Sequence, residues 1–200
     1  MAGRAARMYG QWGKAKAILT SAPTRILPAL RKAIMQEAHF LRAKMIEGLK
    51  SGSPGGQTLA PNSPLTVARK GSSKPLIDSG AMMRSIAVHA TAGGAFVGIK
   101  RGAVGKGGKD TVNLAMLHEK GAVITMRMTQ RQRRFLFVML SKHGSSATTS
   151  AGSGGGMLRI RIPARPFITP VLDMYAKPAD VKHRVAVRFA QFMNGDLGRG

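Results

Sequence analysis

The segment IRIPARPFITPVLD, residues 160–173, places three prolines and two arginines inside one of the most apolar parts of the chain. Proline has no N–H to give a sheet ladder and is excluded from helix interiors, so neither element can run through the segment. Ile160 and Ile162 alternate with Arg159 and Arg161, the period of two that marks a half-buried strand. Pro163 and Pro166 stop that strand and hold the chain extended. Thr169 followed by Pro170 reads as a helix start, a hydroxyl cap with proline in the first helical position. The segment is a rigid strand-to-helix corner.

The elements on either side of the corner follow from their periodicities. Downstream, Val181, Val185, Phe189 and Phe192 share one face of a final helix. Upstream, AVITM (122–126) is a strand, and TQRQRRFLFVMLSK (129–142) is a cationic helix followed by a Ser/Gly linker. TVNLAMLHEKG (111–121) is a short helix, with Lys120 in its last turn and Gly121 where a left-handed cap is favoured. SIAVHATAGGAFVGIK (85–100) is a hairpin: Ile86 and Val88 alternate, Ala92, Gly93 and Gly94 turn the chain, and Val97 and Ile99 alternate back. Before it, Asp78 or Ser79 can cap a single helical turn. Residues 24–50 carry Leu27, Leu30, Ile34, Ala38, Leu41, Met45 and Leu49 at helical spacing, with Pro28 in the first turn or just ahead of it.

This order predicts an α+β fold: a small antiparallel or mixed sheet packed by a long N-terminal helix and a C-terminal helix. It lacks the βαβ alternation of a doubly wound sheet, and no internal repeat is visible. The expected organisation is a basic N-terminal arm (1–23), one domain (24–193) with mobile loops at 51–74, 101–111 and 143–156, and a flexible tail (194–200).

Charge narrows the function. The 200 residues contain 32 Lys plus Arg against 8 Asp plus Glu, a net +24. Such a surplus opposes compaction by self-repulsion and is relieved by a polyanion or an acidic partner. Lys100, Arg101, Lys106 and Lys109 around a glycine-rich loop, and Arg131, Arg133 and Arg134 on the cationic helix, are the candidate contacts to nucleic acid or an acidic partner. For the loop, a flexible solvated segment is the favoured alternative, and for the helix a solvated face is the equally weighted one. The absence of cysteine excludes disulfides and thiolate metal sites. The longest apolar run, FLFVML (135–140), is too short to span a bilayer, so no membrane role is expected. The Arg- and Ala-rich start has no acid before Glu37, which fits a nucleic-acid-associated arm or a mitochondrial transit peptide.

Catalytic patterns fail residue by residue. Gly105-Lys106 is followed by Gly107 and Gly108-Lys109 by Asp110, so neither pair completes a phosphate-binding loop. The histidines at 39, 89, 118, 143 and 183 include no helical metal pair. His118-Glu119 lacks the second histidine of a zincin, and Ser79 has Ile77 where a nucleophile elbow needs glycine. No cofactor, metal or catalytic residue is expected, and the chain reads as a non-enzyme.

Four segments in order carry a resemblance: PLIDSGAMMRSI (75–86), FVGIKRG (96–102), LAMLHEKGA (114–122) and IPARPFITPVLD (162–173). Together they resemble the virion-morphogenesis family of Mu-like phages, the tail-completion or neck proteins of tailed bacteriophages. The matching positions include Ser79, Gly80, Gly98, His118, Glu119, Gly121, Pro163, Arg165, Pro166 and Phe167. Lys120 departs from the pattern, standing where an aromatic is common, and both termini are unmatched. The resemblance implies a non-catalytic virion protein at the head–tail junction, assembled in the host cytoplasm. Its implied partners are neighbouring neck and tail proteins and copies of itself in a homo-oligomeric ring, with non-specific contact to packaged double-stranded DNA. Completion protein, tail terminator and head-side neck component remain open as subtypes. The competing reading is a basic RNA-binding structural protein such as a ribosomal protein. The sparse aromatics, one Trp, two Tyr and seven Phe, supply few stacking platforms for it.

Overall fold

The long N-terminal helix starts earlier than its periodicity suggests. In the computed structural model, which describes residues 12–102, 108, 110–142 and 156–197, helix α1 spans Trp12–Ser51 and carries Pro23 and Pro28 inside it. Half of the expected 1–23 arm is therefore helical; residues 1–11 lie outside the described part. Each proline removes one backbone hydrogen bond, but both rings face solvent, where water can meet the freed carbonyls of Leu19 and Thr24. This N-terminal stretch covers little: Leu19 is 73% exposed and Leu27 60%. Burial begins at Ala29 and Ala33 and continues through Glu37, Ala38, Leu41, Met45 and Leu49.

The segment expected as a loop at 51–74 is partly structured. A single 3-10 turn, Pro54–Gly56, leads to helix α2, Pro64–Lys70. Ser63 caps α2 by accepting from the Thr66 N–H, Pro64 starts it, and Gly71 closes it in the left-handed conformation. Those signals stand in the sequence but are hidden by its loop-like composition. The turn is also anchored: a Cβ on Gly55 would lie 2.2 Å from the Pro170 carbonyl oxygen, so only glycine fits there.

Helix α3, Ala81–Ser85, is a single turn as expected, but its cap is Gly80 at φ 73° with no side-chain bond, not Asp78 or Ser79. The hairpin follows, β1 (Ile86–Thr91) antiparallel to β2 (Gly94–Ile99), with Ile86 opposite Ile99 and Val88 opposite Val97. Helix α4, Thr111–Lys120, begins where the Asp110 carboxylate accepts from the Val112 N–H. Strand β3 (Ala122–Arg127), helix α5 (Gln130–Lys142) and strand β4 (Met157–Ile162) come next. Thr129 and Gln132 form a reciprocal box at the start of α5: Thr129 N–H donates to Gln132 Oε1 at 2.9 Å and Gln132 N–H to Thr129 Oγ1 at 3.2 Å. The corner leads into α6 (Thr169–Tyr175) and α7 (Pro178–Leu197), which carries helix through most of the expected 194–200 tail.

The α+β plan is present, with its four strands divided between two antiparallel pairs, β1–β2 and β3–β4. The core lies under the first pair. Met45 and Leu49 of α1, Ile86, Ala115 of α4, Phe167 of the corner and Val171 of α6 are all buried together. Arg42 of α1 ties the hairpin down by donating to the Ile86 carbonyl at 2.7 Å. Helix α7 runs antiparallel to α1, since Arg184 and Arg188 meet Glu37 while Phe192, further along, meets Lys32. The face expected from Val181, Val185, Phe189 and Phe192 is half-buried.

Candidate nucleic-acid interface

The corner is a joint built from two of the four segments, 114–122 and 162–173, and the loop before α2. Glu119, one residue before the end of α4, accepts from the backbone N–H of Phe167 at 3.0 Å and of Ile168 at 2.6 Å, and from Thr169 Oγ1 at 3.1 Å. A carboxylate from another element thus caps α6, whose first N–H groups have no partner within the helix. The Thr169 hydroxyl donates to Glu119 and does not cap the helix itself; the cap position is Ile168, and Thr169 and Pro170 are already helical. The Arg165 N–H donates to the His118 carbonyl at 2.6 Å. Gly121 has the expected positive φ of 70° but an extended ψ of 170°, so it does not form a left-handed helical cap. Its requirement for glycine is twofold: this φ/ψ combination is essentially closed to other residues, and a Cβ would sit 2.9 Å from both Ala164 N and the Ile162 carbonyl oxygen.

Arg165 is only 8% exposed, and its guanidinium donates to carbonyl oxygens of the loop before α2, Ala60 at 2.7 Å and Pro61 at 2.6 Å. Burial lowers its pKa from the ordinary value. Two well-placed carbonyls compensate a buried cation without a carboxylate. Burial, with Arg165 nearby, pushes the His118 imidazole below its usual pKa of 6.5, and His118 Nδ1 is buried without a hydrogen-bond partner. Phe167 is fully buried, Pro166 half-buried, and Pro163 exposed at the end of β4. Ser79 is exposed, Gly80 opens α3, and Gly98 is buried in β2 opposite Ala87.

A second charged cluster has no counterpart in the sequence reading. Glu37, 4% exposed on α1, is gripped by two arginines of α7. Arg184 Nη2 and Nε donate to Glu37 Oε1 at 2.6 and 3.0 Å, and Arg188 Nη1 pairs with Oε2. Both guanidinium groups also lie over the Phe40 ring, at 5.0 and 5.7 Å. Burial alone would raise the Glu37 pKa, but hydrogen bonds and charge from Arg184 and Arg188 outweigh it and hold the carboxyl below its ordinary value. The pair is separated by 147 positions, so no local spacing signals it.

The cations expected to meet a partner are distributed over the hairpin end and the β3–α5–β4 arm. Lys100 and Arg101 are exposed just past β2, and Lys106 and Lys109 lie outside the described residues. Arg131 and Arg134 of α5 are exposed and Arg133 is half-buried. Arg131 lines an open groove with Gln132, Phe135 and Arg69 of α2. The arm as a whole, residues 122–162, holds seven Lys or Arg (127, 131, 133, 134, 142, 159 and 161) and no acid.

Strand register sorts the arm by face. Val123 pairs with Arg161, Thr125 with Arg159 and Arg127 with Met157, so these six side chains share one side of the ribbon. Ala122, Ile124, Met126, Leu158, Ile160 and Ile162 occupy the other, wholly apolar side. Arg127, Arg159 and Arg161 are all exposed. Among the described residues none of the three has an ion-pair or hydrogen-bond partner through its side chain. The alternation of Arg159 and Arg161 with isoleucine is visible in sequence; Arg127 joins them only through cross-strand register. No group of three or more metal-ligating side chains occurs among the described residues. No helix among them is long and apolar enough to cross a membrane. No family model, curated protein or solved structure matches the chain.

Proposed function

We propose that the protein is a non-catalytic structural component of a tailed-phage virion. It acts at the head–tail junction, as a homo-oligomeric ring among neck and tail proteins, around the path of double-stranded DNA. The observation that carries this reading is the joint. Residues of the ordered segments resembling the virion-morphogenesis family, His118, Glu119, Gly121, Arg165 and Phe167, meet at one corner and hold one another. Their charged groups hold the joint: Glu119 Oε1 accepts the Phe167 and Ile168 N–H groups, Oε2 accepts the Thr169 hydroxyl, and the Arg165 guanidinium binds loop carbonyls. Residues that specify a rigid scaffold suit an assembly protein, and the acid-free arm leaving that scaffold suits contact with a polyanion.

The test is to produce phage lacking this gene product and to examine the lysate by electron microscopy. Filled heads and separate tails that fail to join are the expected result. Normal infectious particles would exclude the reading, and co-sedimentation of the protein with ribosomal subunits would then favour the RNA-binding alternative.

A further inference from the structure

We propose that the cationic face of the β3–β4 ribbon, carrying Arg127, Arg159 and Arg161, seats in the major groove of duplex DNA. This deepens the reading above by naming the element that meets DNA, and it rests on DNA passing the assembled protein. Three observations converge. The arm contains no carboxylate to neutralise its arginines internally. Register gathers all three onto one face, with Arg127 on β3 and Arg159 and Arg161 on β4, so cations leave both strands toward opposite groove walls. The opposite face is wholly apolar, so only one side of the ribbon is suited to face phosphate.

Dimensions agree with this placement. Strands lie ~4.8 Å apart and six residues extend roughly 20 Å. The major groove of B-form DNA is about 12 Å wide and admits a two-stranded ribbon. The major groove of A-form RNA is deep and narrow and does not. Helix α5 is the weaker candidate for the same role. Its exposed arginines, Arg131 and Arg134, are followed by exposed Phe135, Phe137 and Val138, an apolar surface ill-suited to phosphate. Gln132 of α5 reaches Met126 Sδ at 4.0 Å, on the apolar side of the ribbon, which leaves the cationic side open. Besides its three arginines the face offers Thr125 and the exposed Val123 and Met157, so beyond arginine contact with guanine it has little with which to select a sequence.

The experiment measures binding of the full chain to a duplex of about 30 base pairs across a salt series, by fluorescence anisotropy. The ribbon variant R127Q/R159Q/R161Q is compared with R31Q/K177Q/K182Q, which removes three exposed cations from the body, on α1, on α7 and between α6 and α7, and leaves the same net charge. Each phosphate contact contributes about 0.9 to the slope of log affinity against log salt. The ribbon variant is expected to flatten that slope by about 2 to 3 and to bind about tenfold more weakly or worse at low salt. The body variant should keep the wild-type slope. Wild-type protein should also shield guanine N7, a major-groove atom, from dimethyl sulfate, and the ribbon variant should not. The three single substitutions, each flattening the slope by about one, serve if the triple variant does not fold.

Equal losses in both triple variants would mean that net charge alone binds DNA, and would overturn the proposal. So would unprotected N7, ribbon-dependent binding of duplex RNA as tight as that of DNA, or ribbon-dependent capture of an acidic protein without DNA binding. None of these readouts involves particle assembly. Failure here would leave head–tail joining untouched, and failure to find a joining defect would leave these measurements interpretable.

Discussion

Glu119 does in three dimensions what a helix-capping residue does locally, from some fifty positions away. Replacing it with alanine leaves the N–H groups of Phe167 and Ile168 without their acceptor inside a partly buried joint. That change should cost about 2 kcal/mol, read as a lower urea midpoint at constant slope. Glu119→Gln retains an acceptor and should lose about half as much. Arg165→Ala should cost a similar 2 kcal/mol by orphaning the Ala60 and Pro61 carbonyls, while DNA affinity of the folded fraction stays near wild type. Equal stability with weakened DNA binding would instead place Arg165 at the nucleic acid. His118 adds a pH dependence. Burial and Arg165 lower its folded pKa below 6.5, so the unfolded chain binds the proton more tightly. The contribution of neutral His118 is complete above about 6.5 and is lost as pH falls toward the folded value, at no more than about 1.4 kcal/mol per pH unit. Glu37 acts lower on the scale: its pKa is depressed from 4.5, so its contribution is present above 4.5 and is lost as pH falls through the folded value. His118→Gln should therefore flatten the stability profile between pH 7 and 5 and leave the more acidic limb in place. An unchanged profile between 7 and 5 would remove His118 as its source.

At the scale of elements, α1 is two helices in energetic terms. Forty residues reach about 60 Å, but the buried face begins only at Ala29. Ahead of it lie Pro23, Pro28 and apolar side chains that the described residues leave exposed. Hydrogen exchange should separate these parts, with amides of residues 13–27 exchanging far faster than those of 33–49 in the free protein. Uniform protection along α1 would mean that the N-terminal part is already covered in solution, by a partner copy or by residues 1–11. The same division explains what could be read in advance. The hairpin, β4 and α7 follow from period, and the corner, α4 and α6 from proline and helix-boundary residues that stand next to one another in the sequence. The extension of α1 through Pro23 was not legible, since proline argues against helix locally and only the absence of a competing structure permits it. Helix α2 was missed because Gly, Pro and Ser dominate its surroundings, although Ser63-Pro64 and Gly71 are proper boundary signals. Of the candidate site, the corner residues could be picked out; Arg159 and Arg161 stood out only as the polar side of a strand, and the expected contacts were placed on the glycine-rich loop and α5 instead. The partners of Glu119, Arg165 and Glu37 could not, because each bond closes over tens of residues or more.

For the whole molecule, the decisive quantity is how few acids remain to balance 32 cations. Glu37 holds two arginines, Glu47 pairs with Lys44, and Asp110 and Glu119 cap helices. No acid occurs before Glu37 or between Glu119 and Asp173, so charge is unbalanced both at the N-terminal end and in the arm. Folding concentrates these cations, and the folded state bears more repulsion than the expanded chain. Repulsion between exposed charges is screened over about 10 Å at 0.1 M salt and about 3 Å at 1 M, whereas the buried Glu37 clamp is screened much less. Added salt should therefore stabilise the protein, the reverse of what a surface held by exposed ion pairs would show. The melting temperature should rise from 10 mM to 500 mM sodium chloride, and should rise less for R127Q/R159Q/R161Q, which begins with less to screen. Duplex DNA should act through mass action on the native state alone, adding about 2.7 kcal/mol when free duplex stands at 100 times its dissociation constant. The two effects must compete, because salt that relieves repulsion also weakens phosphate contacts. At low salt DNA should raise the melting temperature strongly, and at 500 mM the DNA and DNA-free curves should converge at the salt-stabilised value. A melting temperature that falls with salt in the absence of DNA would show that ion pairing, not cation crowding, governs this fold.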